Sequence, residues 1–466
     1  MSKRLFVLAT ALGTASCASL PDYTPQAGLP DMPERFATAH TDAGTVAAID
    51  WVTELGDAQL QALILEAADN NPSLAVSLAR FESARATARI SGANRLPSLN
   101  GGLDYTRREA DAGGSDSFGL GLSASWEADL WGRVADGARA STNDALAAED
   151  DLRASQLSIA GLVAKSWFNL IEAREQTELA VRNVETNQNS LNLTERRFAR
   201  GLVRSSDVRT ARSALASAEA ALASRERVEA AAARTLETLL GRYPSGQIAH
   251  DADLPELVAI VSVGSPESLL SRRPDVRAAE RRLEAAGLRA DAAAKALYPS
   301  LSITGSTGTG GADVSDLTDL DSLVSSLAGS LTAPIFQGGR LRAQRDQARA
   351  SAEAEVANYV STVLNAWQEA EDALHGDEIL EQRVERLGQA FEEAAAAEAL
   401  VIRQYTSGVA TIFNLLDAQS RRISAESQFI SAQRERATNR VDLYLAIAGE
   451  LPAAVQNAQP TAQTGE

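Results

Sequence analysis

The sequence predicts a mainly α chain with a small membrane-type β part, built from one structural unit present twice. Three observations carry that prediction. Residues 72 to 99 match residues 274 to 301 at a constant offset of 202. Two long stretches, 134–243 and 340–451, contain no proline and are dominated by alanine, leucine, glutamate and arginine, the residues that favour helix. Four short segments alternate apolar and small polar residues with period two, the pattern of a sheet with one apolar face.

The repeat pairs Pro72 with Pro274, Arg80 with Arg282, Glu82 with Glu284 and Ala84 with Ala286, and closes in Pro97-Ser98-Leu99 against Pro299-Ser300-Leu301. Further on the offset becomes 207, pairing Arg133 with Arg340, Gly201 with Gly408, Ala211 with Ala418, and Ala218-Glu219 with Ala425-Glu426. The second copy therefore holds five extra residues between the two blocks. Copies of about two hundred residues are too long for solenoid units, so the chain is read as a duplicated half with internal pseudosymmetry.

Each half has the same order. A helix comes first, from about Pro72 to Arg95 and from Pro274 to Leu297, opened by a proline that the first helical turn tolerates. A strand pair follows, at about 98–108 and 117–127, and again at about 300–307 and 326–336. In the first pair Leu99, Gly101, Leu103 and Tyr105 share one face, and Phe118, Leu120, Leu122, Ala124 and Trp126 share the corresponding one. In the second pair Leu301, Ile303, Leu327, Leu331, Ala333 and Ile335 do the same. Glu109 to Ser117 and Gly308 to Ser322, rich in Gly, Asp and Ser, read as solvent loops.

The proline-free stretches carry apolar residues such as Leu152, Ile159, Val163, Trp167, Leu170 and Ile171 at spacings of three and four, the mark of amphipathic helices. A single glycine, Gly201 or Gly408, falls about sixty-seven residues into each, where a helix at 1.5 Å per residue has run ~100 Å. Glycine adopts the left-handed backbone of a helix reversal readily, so each stretch reads as a long antiparallel coiled-coil hairpin with its tip at that glycine. Abundant alanine lets neighbouring helices approach closely.

Composition excludes several functions. The chain has 466 residues and 45% hydrophobic content, enough for a sizeable core. Its 62 acidic against 44 basic residues give a net charge of −18, which repels a phosphate backbone, so nucleic acid is not an expected partner. The three histidines, His40, His250 and His375, stand in no metal-ligand spacing, and no cofactor or metal is expected. Gly308-Thr309-Gly310-Gly311 lacks the lysine and following helix of a phosphate loop. The acidic residues are spread along helical faces with no convergent pair, so no enzymatic activity is expected.

At the N-terminus Lys3 and Arg4 precede an apolar run from Leu5 to Leu12 and then small residues, the layout of a signal peptide over residues 1–16. Thr14-Ala15-Ser16-Cys17 looks like a lipobox, although Thr14 stands where Leu is usual. Cys17 is the one cysteine in the chain, so it forms no internal disulfide and is the expected lipid attachment point. The alternative is cleavage near Ala15 that leaves a free thiol. The remaining divisions are an extended segment 17–56, a first repeat 57–243, a connector 244–270, a second repeat 271–451 and a polar tail 452–466.

No later segment supplies ~18 consecutive apolar residues, so a membrane crossing must use strands. Four strands cannot close a barrel, because open edges cannot face lipid. Two copies would give eight strands and a lumen filled by side chains; three give twelve and a polar lumen. Strand periodicity leaves both open. A helical extension of ~100 Å favours three, since it carries a lumen onward from the membrane.

These features, with several local motifs, resemble the TolC-like outer-membrane efflux proteins, and among them the NodT-type lipoproteins. The motifs are Arg272-Arg273-Pro274-Asp275-Val276, Trp126-Glu127-Ala128-Asp129-Leu130-Trp131-Gly132-Arg133, Pro334-Ile335-Phe336-Gln337-Gly338-Gly339-Arg340 and Leu416-Asp417-Ala418-Gln419. The resemblance covers Cys17 to about Leu451. It implies a homotrimer anchored in the outer membrane, with a twelve-stranded β-barrel continued by a periplasmic α-helical barrel. It also implies a periplasmic adaptor protein at the helical tips and an inner-membrane, proton-driven pump as the energy source.

By the same resemblance Asp417 occupies the position of an acidic ring that closes the periplasmic gate, three carboxylates meeting on the axis; the alternative is a solvated residue on an outer helix face. Ser420 stands where relatives often carry Arg, with Arg421 and Arg422 following. Phe198, Gly201, Val203, Tyr405, Gly408 and Val409 would meet the adaptor, or would simply pack the turns. The functional readings are an exit duct for small toxic compounds or drugs, an export duct for polypeptides with an ATP-driven pump, and a structural coiled-coil lipoprotein of the cell envelope.

Overall fold

A computed structural model of the chain describes residues 29–30, 32–37, 51–110, 113–248, 253–255, 257, 264–447 and 451. The signal segment, Cys17, His40, His250 and the tail from 452 lie outside the described residues. In chain order the helices and strands are α1 (Trp51–Glu54), α2 (Ala58–Asn70), α3 (Pro72–Ala93), β1 (Ser98–Ala110), β2 (Gly113–Ala128), α4 (Arg133–Ala199) and α5 (Ser205–Leu239). The second half follows with α6 (Pro266–Arg272), α7 (Pro274–Lys295), β3 (Ser300–Gly311), β4 (Val324–Thr332), α8 (Arg340–Ser407) and α9 (Ile412–Ala446).

The duplication is visible in the element lengths: α3 and α7 have 22 residues each, α5 and α9 have 35 each, and α4 and α8 have 67 and 68. The five extra residues fall in the β3–β4 connection, where short 3-10 turns span Val314–Thr318 and Leu320–Ser322. The described residues form two compact units, one holding those of 86–144 and 280–359, the other those of 30–85, 145–279 and 360–451.

The first unit is centred on an antiparallel sheet in the order β1-β2-β3-β4. Its register places Leu103 opposite Leu120, Tyr105 opposite Phe118, Trp126 opposite Ile303, and Leu301 opposite Leu331, so one face is mainly apolar, with Thr307, Thr309 and Ser325 its small polar members. The other face carries Ser98, Asn100, Ser123, Ser302, Thr304, Ser306 and Ser330. Tyr105 and Phe118 stack at one end of the apolar band with ring centroids 4.9 Å apart. Trp126 stands at the other end and donates to the Arg95 carbonyl at 3.0 Å. Phe118 to Trp126 covers about 27 Å along the strand. Tilted as barrel strands are, that is a band about 20 Å high, the scale of an outer-membrane hydrocarbon layer bounded by aromatic girdles. Beyond Tyr105 the same face turns polar, and its hydroxyl donates to Asp116 at 2.9 Å.

The strands differ from the sequence-based expectation at their ends. β1 runs to Ala110, β2 starts at Gly113 and β3 continues to Gly311, so much of the Gly- and Ser-rich sequence expected as solvent loop is strand. Ladder hydrogen bonds are made by the backbone, and small polar side chains at the hairpin ends do not oppose them. β4 stops at Thr332 rather than 336, because Pro334 has no N–H to give to a ladder. Ala333 and Ile335 therefore lie past the strand.

The motif between β2 and α4 makes a junction. Asp129 accepts from the backbone N–H of Val134 at 3.1 Å and Ala135 at 2.7 Å, capping the first turn of α4. Arg133 holds both oxygens of Glu127 at 2.7 Å. Trp131 donates to the Pro299 carbonyl at 2.7 Å, and its ring meets Tyr298 at 5.3 Å. Gly132 and its repeat partner Gly339 both take positive φ, +79° and +82°, which explains the glycine in each copy. Within this unit α7 and α8 meet on alanines, Ala286 and Ala290 against Ala348 and Ala352, the close approach expected from the composition.

The second unit is helical. α4 with α5 and α8 with α9 form the two hairpins. Leu191 packs on Val208 and Ala211 in the first, and the fully buried Arg440 binds Asp377 at 2.9 and 3.1 Å in the second. The hairpins join along α4 and α9 through polar pairs: Glu172 with Arg434 at 2.8 Å, Gln176 with Ser427 at 2.8 Å, and Arg182 with Glu426 at 2.6 Å. Trp167 donates to Asp57, the N-cap of α2, at 2.6 Å. Arg273 of the Arg-Arg-Pro-Asp-Val motif is buried and reaches Asp275 and Glu369, each at 2.7 Å, so it ties the start of α7 to α8. Glu237 accepts from Ser245 and from the Gly246 N–H, both at 2.6 Å, and so fixes the start of the connector.

Candidate functional site: the helical tips

Both hairpins reverse through the same hydrogen-bonded turn. At the first tip the Leu202 N–H donates to the Arg197 carbonyl at 3.0 Å and the Gly201 N–H to the Phe198 carbonyl at 2.8 Å. At the second the Val409 N–H donates to Gln404 at 2.9 Å and the Gly408 N–H to Tyr405 at 3.1 Å. This double bond is the Schellman closure, and it needs a left-handed residue where Gly201 has φ +74° and Gly408 has +88°. The helices then restart differently. Thr411 and Asn414 exchange backbone and side-chain bonds at 3.1 and 3.3 Å in a capping box. In the first tip the Arg204 N–H donates to Asp207 at 3.1 Å.

The two tips are tied together. Thr194 and Tyr405, both buried, share a hydroxyl–hydroxyl bond of 2.8 Å. Arg197 donates to the Tyr405 carbonyl and lies 4.8 Å from the centre of the Tyr405 ring. Tyr405 also packs with Ile412 and Leu415. At 2% exposure it packs the turn, the second of the two roles the sequence left open for it.

Phe198 and Val409 do face solvent, at 46% and 79% exposure, whereas Val203 is half-buried. Leu202 and Phe413, which were not expected from the sequence, are also exposed. A signal for them exists: both are large apolar residues within a few positions of a tip glycine. The described tips thus present an apolar crown on a rigid, cross-tied base.

Asp417 is exposed on α9 and pairs with Arg421 at 2.9 Å, one helical turn on. Arg422 has a different role. It lies largely buried, bonded to Glu398 of α8 at 2.5 Å and to Glu426, which in turn meets Arg182 of α4. Within one chain Asp417 thus lies exposed beside Arg421, while Arg422 joins α4, α8 and α9 through Glu398 and Glu426.

Comparison with known proteins agrees with this architecture. A family model described as outer membrane efflux protein matches residues 63–242 and again 265–449, one stretch for each half. The outer membrane protein OprJ of Pseudomonas aeruginosa is 32% identical over 454 residues, covering 95% of both chains. The toluene efflux pump outer membrane protein TtgF of Pseudomonas putida is 29% identical, covering 96% of this chain and 97% of its own. Among solved structures, the open state of the MtrE outer membrane channel of Neisseria gonorrhoeae superposes with a TM-score of 0.82 at 32% identity, over 91% of this chain and 98% of that one. The outer-membrane channel OprN does so at 0.83 and 27% identity, over 91% and 99%. These neighbours are trimeric channels in which a β-barrel is continued by a helical tunnel. The polar sheet face is then the lumen and the apolar face the lipid side, and the chain belongs to the outer membrane efflux protein family, whose members are transport conduits of the outer membrane rather than enzymes.

Proposed function

We propose that this channel is the passive exit duct of a tripartite pump for small toxic compounds or drugs. It works with a periplasmic adaptor at the helical tips and a proton-driven pump in the inner membrane. The observation that carries the proposal is the tip itself: Phe198, Leu202, Val409 and Phe413 stand exposed at the ends of hairpins whose turns are cross-tied by Arg197 and Tyr405. Solvent-facing apolar side chains on a rigid base suit a protein partner better than they suit water. The substrate class rests on the relatives. They include channels named for toluene efflux, pyoverdine export and cation efflux, a spread that fits a duct with few specific contacts and a pump that selects.

Three assignments complete the reading. Cys17 carries the lipid that anchors the chain in the outer membrane, Asp417 contributes one carboxylate to a three-fold gate, and Gly201 and Gly408 shape the surfaces the adaptor meets. In the gate, like charges brought together by three copies would repel, so closure depends on partners such as Arg421. The test is dye and drug accumulation in a strain lacking the gene. Complementation by the wild-type chain restores efflux, and a chain with Phe198, Leu202, Val409 and Phe413 all changed to serine assembles but fails to restore it. Full restoration by that variant would reject the tip as the docking surface.

A further inference from the structure

The second strand pair differs from the first at its far end. β1 and β2 are joined by 111–112 alone, whereas β3 and β4 are joined by residues 312–323, which hold the two 3-10 turns. Pairing the strands needs no such insertion. The segment carries aspartate at 313, 316 and 319 and apolar residues at 314, 317, 320 and 323, a spacing of three that stacks side chains in rows on 3-10 turns.

The segment does not project away from the sheet, as its composition predicts for a solvent loop; it folds back over the apolar face. Thr309 and Gly311 belong to that face, opposite Leu120 and Phe118. The Thr309 hydroxyl donates to the Leu317 carbonyl at 2.7 Å, and among the described strand residues Thr309 alone is buried. An added Cβ at Gly311 would collide with the Asp316 carboxylate, so glycine there lets the turn lie down on the sheet. Asp316 and Leu317 are half-buried beneath it, while Val314, Leu320 and Leu323 stay exposed at 61%, 77% and 50%.

What surrounds the segment follows from its height. Thr309 lies opposite Leu120, two residues inside Phe118, about 7 Å nearer the middle of the apolar band than the aromatic edge. The long helices leave the sheet at its other end, so this edge is the outer one. At that height the apolar face of an outer-membrane channel meets the outer leaflet. The turns also keep backbone donors bonded within the segment, as a place poor in water requires. The Asp313 N–H donates to the Asp316 carboxylate at 3.1 Å and the Asp321 N–H to the Asp319 carboxylate at 3.0 Å. Those of Asp316, Ser322 and Leu323 donate to backbone carbonyls at 3.1, 3.3 and 3.3 Å.

We propose that residues 312–323 form a lip lying in the outer leaflet, with Val314, Leu320 and Leu323 seated at the boundary between headgroups and acyl chains. The partner is lipid because the segment rests on the lipid face of the sheet and its exposed apolar residues continue that face outward. The aspartate row stays at headgroup level, as the polar side of an interfacial segment does. The proposal rests on the outer-membrane channel reading and adds to it a lipid contact outside the barrel wall, one in each copy. It also gives a use to the five residues by which the second half exceeds the first.

The test is the depth of nitroxide labels on full-length trimers reconstituted into phosphatidylcholine vesicles. Val314→Cys, Leu320→Cys, Leu122→Cys and Glu109→Cys are labelled one at a time, and the wild-type chain labelled in parallel removes any signal from Cys17. Accessibility to oxygen, which concentrates in lipid, is compared with accessibility to a water-soluble nickel chelate. Leu122, on the apolar face of β2, reports lipid, and Glu109, at the far end of β1, reports water. Labels at 314 and 320 are expected to side with Leu122, with an oxygen-to-nickel ratio several-fold above that at Glu109. A ratio at 314 or 320 no higher than at Glu109, while Leu122 reads lipid, overturns the lip and leaves the channel. Low access of both reagents at 314 and 320 means that protein covers the segment, and it overturns the lip as well. Nickel access at Leu122 itself overturns the membrane reading of the apolar face, and the lip with it.

Discussion

Valine at both tip glycines is the perturbation whose size the structure fixes best. An added Cβ at Gly201 meets nothing within 4 Å, so the cost of Gly201→Val is that of the left-handed backbone alone. For an L-residue this is about 1–2 kcal/mol, toward the upper end for a β-branched one. Gly408→Val incurs the same strain, and its Cβ comes 3.4 Å from the Arg197 guanidinium, a flexible end that can yield. Each change weakens its own turn by about 1.5–2 kcal/mol, a shift of about 10- to 30-fold toward the open turn. The bulk of the helices and the sheet are untouched, so trimers form. Hydrogen exchange of residues 198–204 and 405–411 in extracted trimers should rise by that factor, and drug resistance should fall to that of the empty strain. Asparagine tolerates the left-handed region, so Gly201→Asn with Gly408→Asn should keep most of both. Wild-type exchange and resistance in the double valine variant would refute the reasoning.

Other expectations follow from single residues. Burial, then the charges of Asp253, Glu178 and Glu172, push the Glu175 carboxyl up to about 7. The folded state thus holds a proton that the unfolded state has released above the ordinary carboxylate range, and stability falls as pH rises from about 4.5 to about 7. Melting should occur at lower temperature at pH 8 than at pH 5.5, and Glu175→Gln should reduce that difference; an unchanged difference would exclude Glu175 as its source. Asp129→Ala removes the cap of α4 and should destabilise the strand–helix junction by about 1 kcal/mol, read as a lower trimer melting temperature, with Asp129→Asn recovering much of it. Cys17→Ser should abolish incorporation of labelled fatty acid and lower the membrane-bound fraction; labelling that persists would place the lipid elsewhere.

The duplication, the helical hairpins and the alternating strands are legible in the amino-acid sequence, because each depends on local pattern: proline-free alanine-rich runs, period-two alternation and a lone glycine at the reversal. The strand ends are not, since Gly113, Gly114, Gly310 and Gly311 extend the ladders with backbone bonds that side-chain polarity does not report. The tips are half legible. Gly201 and Gly408 announce the turns, but the burial of Tyr405 comes from Thr194 and Arg197, residues more than two hundred positions earlier. Arg421 and Arg422 are adjacent in sequence yet divide their roles by a rotation of one residue on α9, one outward to Asp417 and one inward to Glu398 and Glu426. The gate proposed at Asp417 would need three copies to form, so the residues of one chain do not by themselves display it.

Single-channel conductance in planar bilayers decides whether the chain builds the gated conduit proposed above. Purified trimers should conduct weakly at every voltage, and Asp417→Ala trimers should conduct more, because the proposed carboxylate ring at the periplasmic end is gone. Inserted, intact trimers that conduct in neither form would contradict the account.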